Sequence, residues 1–221
     1  PIVGFLGYCS AAVGADGRFY VFGGEGDTTA VSIYDGNSNR WSSGAVMPQG
    51  RKGHGVSLLS DGKFYVYGGF DGSALSSMDV YDSNANSWSS GTAMPSARTH
   101  FAWATISAQL IYVTTGSTSN GNRTSPEFSD TVSFDLRSGQ WSAGPDDLVA
   151  RRESNAVALG TVVHVLGGNT VTHTRHGAQR DSDDDGIFDG EDNCPLLANP
   201  GQEDADDDML GDVCDDDDDN D

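Results

Sequence analysis

The chain has 221 residues, and 33 acids against 12 bases leave it a formal net charge of −21. A surface this negative repels nucleic acid and anionic lipid and attracts cations, so no nucleic acid is expected among its partners. No apolar run reaches the roughly 18 residues that a spanning helix needs, so membrane insertion is not expected either.

The charge is unevenly placed. Residues 181–221 hold 17 Asp and 2 Glu with no Lys or Arg, leaving 14 acids and 12 bases for residues 1–180. The expected organisation is a body over 1–170, a linker over 171–180 that carries His173 and His176, and an acidic tail over 181–221. A chain that opens on Pro1 and ends inside an Asp run is expected to be a mature or truncated piece of a longer, multidomain one.

In chain order, the first strong signal is FYVFGG at 19–24, an apolar run stopped by two glycines. SIYDGNSNRW follows at 32–41. Its Asp35 and Trp41 stand six residues apart around Gly, Asn and Ser, the residues of a tight hairpin turn. Met47-Pro48 and Arg51 come next. The cycle then restarts: GVSLL at 55–59, a turn at Asp61-Gly62, FYVYGG at 64–69, DVYDSNANSW at 79–88, Met94-Pro95 and Arg98. A third copy has IYVTTG at 111–116, VSFDLRSGQW at 132–141 and Arg151; a fourth has VHVLGG at 163–168 and neither Tyr-Asp nor Trp. The glycine-ended strand thus returns every 45 to 52 residues, the mark of a repeat architecture. FYVYGG leaves no polar side to its strand, so it must be covered on both faces. Four-stranded sheets stacked around an axis provide that cover, with each Trp filling the gap to a neighbouring sheet.

An apolar strand ending in Gly-Gly, then Tyr-Asp, then Trp six residues on, then Met-Pro and Arg, resembles the kelch repeat over about residues 8–170. The third copy departs from it at Thr115, at Phe134 and in lacking Met before Pro145. The resemblance implies an all-β fold, a partial β-propeller of about three and a half four-stranded blades. That is short of the roughly four to eight blades of a closed ring, and the N-terminal PIVGF could add a strand to the incomplete last blade. It also places Arg51, Arg98 and Arg151 where a repeat leads into its innermost strand. There they either face an anionic ligand at one mouth of the channel or hydrogen-bond loop carbonyls.

Some kelch propellers are enzymes, and those resembling galactose oxidase need a Tyr–Cys link with paired histidines. Cys9 neighbours Tyr8, but no paired histidines stand near it in sequence, and His54, His100 and His164 read as packing or loop residues. The body is therefore expected to be a non-catalytic binding scaffold for a protein or glycan ligand. The alternative is a carbohydrate-active or oxidase enzyme built with blades beyond this chain.

In the tail, Asp181, Asp183, Asp185, Asp189 and Asp192 fall at positions 1, 3, 5, 9 and 12 of a loop with Gly186 at position 6. That is the ligand rhythm of a calcium loop, with the carbonyl of Ile187 as the backbone ligand. The prolines at 195 and 200 forbid the exit helix of an EF-hand or dockerin. DSDDDGIFDGEDNCPLLANPGQEDADDD, followed by GDVCD, resembles the thrombospondin type 3 repeat, with Met209 standing where a second loop would have Gly. The resemblance implies several bound Ca2+ ions in an irregular, calcium-dependent tail with little regular secondary structure. It adds Asn193, Asn199 and Gln202 to the first set, and Asp204, Asp206, Asp208, Leu210, Asp212 and Asp215 as a second, with Asp217 and Asp219 opening a third. It also implies a Cys194–Cys214 disulfide, worth roughly 3 kcal/mol for a loop of that size and requiring an oxidising compartment. The whole chain then reads as an extracellular adhesion or binding protein, secreted or displayed on a cell or outer bacterial surface or held in a periplasm.

Overall fold

The computed structural model describes residues 7–119, 127–144, 150–160, 162–168, 174–177, 183, 192–194, 196–205 and 210–215. Among them are fifteen strands and no helix. The first sheet is β1 (Ser10–Val13), β2 (Phe19–Phe22), β3 (Val31–Asp35) and β4 (Arg40–Ser43). The second is β5 (Gly55–Leu58), β6 (Phe64–Tyr67), β7 (Met78–Asp82) and β8 (Ser87–Ser90). The third is β9 (Ala102–Ser107), β10 (Leu110–Thr114), β11 (Thr131–Asp135) and β12 (Gln140–Gly144). In each, consecutive strands pair antiparallel, so one sequence repeat makes one four-stranded blade. The fourth sheet has three strands, β13 (Ser154–Leu159), β14 (Val162–Gly167) and β15 (Thr174–Gly177).

The span read as a linker therefore contains a strand. β15 pairs with β14, Val162 opposite Gly177 and Val165 opposite Thr174. A polar stretch such as THTRH carries no apolar alternation of its own. Its strand is set by the open hydrogen-bonding edge beside it, a long-range partner that hydropathy does not register. PIVGF lies outside the described residues.

The Asp-to-Trp spacing works as a turn device. The Asp35 carboxylate accepts from the amides of Asn37 and Ser38 at 2.8 and 3.1 Å, and Asp82 accepts from Asn84 and Ala85 at 2.9 and 3.0 Å. The turn closes on a left-handed residue, Asn39, Asn86 or Gly139. This sets Trp41, Trp88 and Trp141 opposite Tyr34, Tyr81 and Phe134.

The core lies between sheets. Tyr20, Phe22 and Ile33 of the first meet Phe64, Val66 and Tyr81 of the second. On its other face the second sheet places Tyr65, Tyr67 and Val80 against Phe101, Ile111 and Phe134. Every side chain of β6 is buried, as its two apolar faces require. A thinner cluster, Ala102, Ala104 and Tyr112 with Val163 and Val165, joins the third and fourth sheets. Burying one large apolar side chain contributes about 1.5–3 kcal/mol, so these seams hold the arc together. The outer faces of the end sheets stay open: Val13 and Phe19 on the first, Val157, Leu159 and Leu166 on the last, each 45 to 62 % exposed.

The double glycine has a specific cause. Gly69 has φ +99°, and a Cβ there would stand 2.8 Å from the Cβ of His54 and 2.9 Å from the Lys52 carbonyl. In the third sheet Thr115 replaces the first glycine at φ 63°. There its hydroxyl bonds Ser154 Oγ at 2.9 Å and accepts from the Ala102 amide. At the matching place Gly68 is crowded by the Phe101 ring, and Ser154 stands where Phe101 stands one repeat earlier. The smaller neighbour makes room for the larger residue.

Candidate functional site

The innermost strands β1, β5, β9 and β13 lie against one another in order around the axis. Each is entered through a left-handed residue: Tyr8, Gly53, His100 and Glu153, with φ of 59°, 58°, 54° and 57°. These four form a backbone ladder across blades. The Gly53 amide donates to the Tyr8 carbonyl at 2.8 Å, His100 to Gly53 at 2.9 Å, and Glu153 to His100 at 2.8 Å. All four line a cavity of about 180 Å³ that also touches Cys9, His54 and Trp103. Tyr8 meets the His100 ring edge-on at 4.9 Å, spanning from the first sheet to the third.

Burial shifts three titratable side chains at this mouth. Burial lowers the His100 pKa below that of an ordinary histidine, with Glu153 opposing and Lys52 and Arg152 adding to the fall. His54 is buried, and neither of its ring nitrogens has a hydrogen-bond partner. Burial pushes its pKa down to about 3, helped by Arg51, so it is neutral near pH 7. Burial also raises the Cys9 thiol, which keeps it protonated and poorly nucleophilic at neutral pH. Cys9 packs its Cβ where a side chain on Gly24 would have to go. The mouth thus offers a phenol, a neutral imidazole, an indole and one carboxylate, a mixed surface suited to aromatic and hydrogen-bonding contacts.

The three repeated arginines do not face this mouth; of the two roles the sequence left open to them, they take hydrogen bonding to loop carbonyls. Arg51, Arg98 and Arg151 are each 0 % exposed. Arg51 donates to the carbonyls of Gly68 and Ser77 at 2.9 and 3.1 Å and pairs with the Asp79 carboxylate. Arg98 donates to the Thr115 carbonyl at 3.2 Å, pairs with Asp130 at 2.7 Å and lies over the Phe128 ring. Arg151 reaches the Gly167 carbonyl at 3.5 Å. The backbone carbonyls of Arg51, Arg98 and Arg151 in turn accept from Gly24, Gly69 and Gly116 of their own blades. Each arginine therefore clamps the glycine turn of one blade to that of the next. A planar fork of five donors suits that task better than a lysine ammonium.

Of the residues at the mouth, the sequence left Tyr8 and Cys9 without a role, read His54 and His100 as packing or loop residues, and did not single out Gly53 or Glu153. The mouth carries one signal: Gly53, His100 and Glu153 each stand two residues after a repeated arginine, at a position that differs in every copy.

In the tail, Cys194 and Cys214 form a disulfide with 5.7 Å between Cα atoms. Around it Asp192, Asn193, Asn199 and Gln202 make one polar knot. The Asp192 Oδ1 accepts from the Cys194 amide at 2.8 Å and from Gln202 Nε2 at 2.9 Å. Asn199 donates to Asn193 Oδ1 at 2.6 Å, and the Asn193 amide donates to Gln202 Oε1 at 2.9 Å. Ala205 donates its amide to Asp212, and Gly211 packs so closely that a Cβ would strike Asn193, Asn199 and Cys194.

Asp183, Asp192, Asn193, Asn199, Gln202, Asp204, Leu210, Asp212 and Asp215 are thus among the described residues, while Asp181, Asp185, Ile187, Asp189, Asp206, Asp208, Asp217 and Asp219 lie outside them. Among the described residues no group of three or more His, Cys, Asp or Glu is arranged to hold a metal ion. One observation bears on the fit of a cation. Asp192 is 8 % exposed, and its Oδ2 is buried without a hydrogen-bond partner. A buried, unsatisfied carboxylate oxygen suits a hard cation.

One family model, described as the KLHDC2/KLHL20/DRC7 Kelch-repeats domain, matches residues 7–182. Among curated proteins no relative matches the chain.

Proposed function

The chain belongs to the kelch-repeat domain family, and from that premise we propose that it is a secreted or surface-displayed binding protein. Its propeller body recognises a protein or glycan at the axial mouth, and its acidic tail is a calcium-loaded stalk. Kelch repeats typically serve as protein-binding scaffolds. The observation that carries the reading is the entry ladder. Tyr8, Gly53, His100 and Glu153 share one left-handed backbone conformation and are joined by one hydrogen-bond ladder, yet they are four different residue types. A constant frame with varied side chains at a concave mouth is how a scaffold encodes specificity.

Two features support the stalk. The cysteines are joined, which suits an oxidising compartment. The orphan oxygen of Asp192 sits at the twelfth position of the acidic loop, where the residue rhythm calls for a ligand. In this reading Asp181, Asp183, Asp185, Asp189 and Asp192 with the Ile187 carbonyl hold the first ion. Asp204, Asp206, Asp208, Asp212 and Asp215 with the Leu210 carbonyl hold the second.

Binding of immobilised proteins and glycans, read for the intact chain and for Tyr8→Ala and His100→Ala, tests the mouth. Loss of a captured ligand in both variants, with melting unchanged, is the expected result; capture indifferent to both variants overturns it. Calorimetric titration of the EDTA-stripped chain tests the stalk. The expected result is more than one Ca2+ bound with affinity between about 10⁻⁵ and 10⁻³ M, weakened by Asp192→Asn. No heat at millimolar calcium overturns it.

A further inference from the structure

The cavity at the axial mouth draws on all four sheets. Tyr8 leads into the first and His54 into the second, Trp103 belongs to β9, and Glu153 and Asn155 open the fourth. Two of these residues are exceptions to the repeat. By register against the second strands, Asn155 stands where the other blades have Ser10, Gly55 and Ala102. Trp103 stands where they have Ala11, Val56 and Ala156. Residues no larger than valine suffice to build a blade at both places, so the amide and the indole answer to something else. Trp103 is half-buried, donates its indole N–H to the Val56 carbonyl at 3.1 Å and stands edge-on to Phe101 at 5.9 Å. With its N–H engaged, the ring offers a fixed apolar surface.

The same cavity gathers polar groups that the fold leaves unengaged. Neither ring nitrogen of the buried His54 has a hydrogen-bond partner. Among the described residues, the Tyr8 hydroxyl, the Glu153 carboxylate and the Asn155 side-chain amide enter no hydrogen bond or ion pair. Among the described residues, Glu153 is the one acid lining the cavity, and no Lys or Arg lines it. Two cations are near enough to act on His100: Lys52, paired with Glu25 at 3.2 Å, and Arg152, paired with Glu127 at 3.7 Å. A cationic guest therefore meets Lys52 and Arg152, and an anionic guest meets Glu153. An apolar guest takes water from Glu153 and Asn155 and returns no hydrogen bond. What suits the mouth is a neutral guest with an apolar face and a rim of hydroxyls.

We propose that the axial mouth is a subsite for one neutral hexopyranose ring. The C–H face of the sugar packs on Trp103 and Tyr8, and its hydroxyls bond Glu153, Asn155 and His54. The cavity of about 180 Å³ is smaller than the roughly 300–1,000 Å³ that a drug-sized ligand needs, so it takes a single ring and not a chain of them. The proposal rests on the binding-scaffold reading and narrows it, from a protein or glycan to one sugar unit of stated charge and size.

The test titrates the intact chain with the methyl glycosides of glucose, galactose, mannose and N-acetylglucosamine, each by itself, followed by calorimetry and saturation-transfer NMR. Saturable binding of at least one is expected. Asn155→Ala copies Ala102 and Trp103→Val copies Val56, so each restores what another blade carries. Each should weaken that sugar at least tenfold, and Asn155→Ala, at an exposed position, should melt as the parent does even if Trp103→Val does not. The methyl glycoside of N-acetylneuraminic acid and the amide of N-acetylarginine, an anion and a cation, should bind at least tenfold more weakly than the neutral sugar. Absence of saturation by all four neutral sugars at high millimolar concentration overturns the subsite. So does indifference to Asn155→Ala, or equal binding of either charged probe. A protein captured by the intact chain and lost in Tyr8→Ala and His100→Ala, with all four sugars failing, overturns the sugar subsite and leaves the scaffold reading standing. Sugars failing together with capture indifferent to those variants overturns both.

Discussion

In β6 every side chain from Phe64 to Tyr67 is out of water, whereas in the tail the most buried described residues are Cys194, Asn199 and Asp192. The described aliphatic residues of the tail stay wet: Leu196 is 82 % exposed and Val213 50 %. The body is thus held by apolar area repeated from blade to blade, and the tail by one crosslink and a knot of amides and carboxylates. The difference teaches where each region is vulnerable. Blades fail when a buried charge loses its partner or a seam loses volume. The tail has little apolar area to lose and fails when its crosslink goes. All four tryptophans, Trp41, Trp88, Trp103 and Trp141, lie in the body, so tryptophan fluorescence reports that region alone.

The largest expected effect comes from breaking a clamp. Arg51→Met strips the Gly68 and Ser77 carbonyls of their donor and leaves Asp79 buried and unpaired. Loss of one partner of a buried pair costs about 3–5 kcal/mol. Urea unfolding followed by tryptophan fluorescence should show that loss, and Arg51→Met with Asp79→Leu should recover much of it.

Next is the crosslink. Reducing Cys194–Cys214 should remove roughly 3 kcal/mol from the tail. Limited proteolysis should then cut between residues 192 and 215 while the fluorescence-detected urea midpoint stays in place. A midpoint that moves with reduction would mean that the two regions are energetically one.

A third measurement separates them by pH. His54 is neutral in the fold, with its pKa pushed down to about 3, and titrates near 6.5 when unfolded. The unfolded state therefore takes up the proton first. This contribution is intact above pH 6.5 and is lost as pH falls from 6.5 toward 3, at about 1.4 kcal/mol per unit. His54→Phe, which copies Phe101 at the equivalent position, should flatten the melting temperature over that window. An unchanged acid limb would place the responsible groups elsewhere.

The smallest effect tests the third blade's departure from the glycine pair. Thr115→Gly relieves a left-handed threonine but forfeits its bonds to Ser154 and the Ala102 amide. The net loss should be within about 1 kcal/mol, read as a small shift in the urea midpoint.

Much of this was legible in residue order because blade building is local. The run Tyr65-Val66-Tyr67 announces a strand covered on both faces. Asp82 and Trp88 announce a turn of fixed length, and Gly69 a backbone that cannot carry a side chain. The arginines were legible as a repeat but not in role. Arg51 is recognised by the Gly68 carbonyl 17 residues on and by Asp79 28 residues on, partners that only the seam brings together. The mouth was hidden for the opposite reason: Gly53, His100 and Glu153 share a backbone state but no side-chain chemistry, so only their place two residues after a repeated arginine marks them. β15 was hidden because its pairing edge belongs to β14.

By itself the sequence determined the strands, the turns between them and the division between a near-neutral body and an acidic tail, since each depends on a few neighbouring residues. Only the tertiary structure decided that the arginines lock blades together and that four unlike residues share one mouth. Those are properties of contacts between repeats, where a side chain's role is set by what the next blade places opposite it.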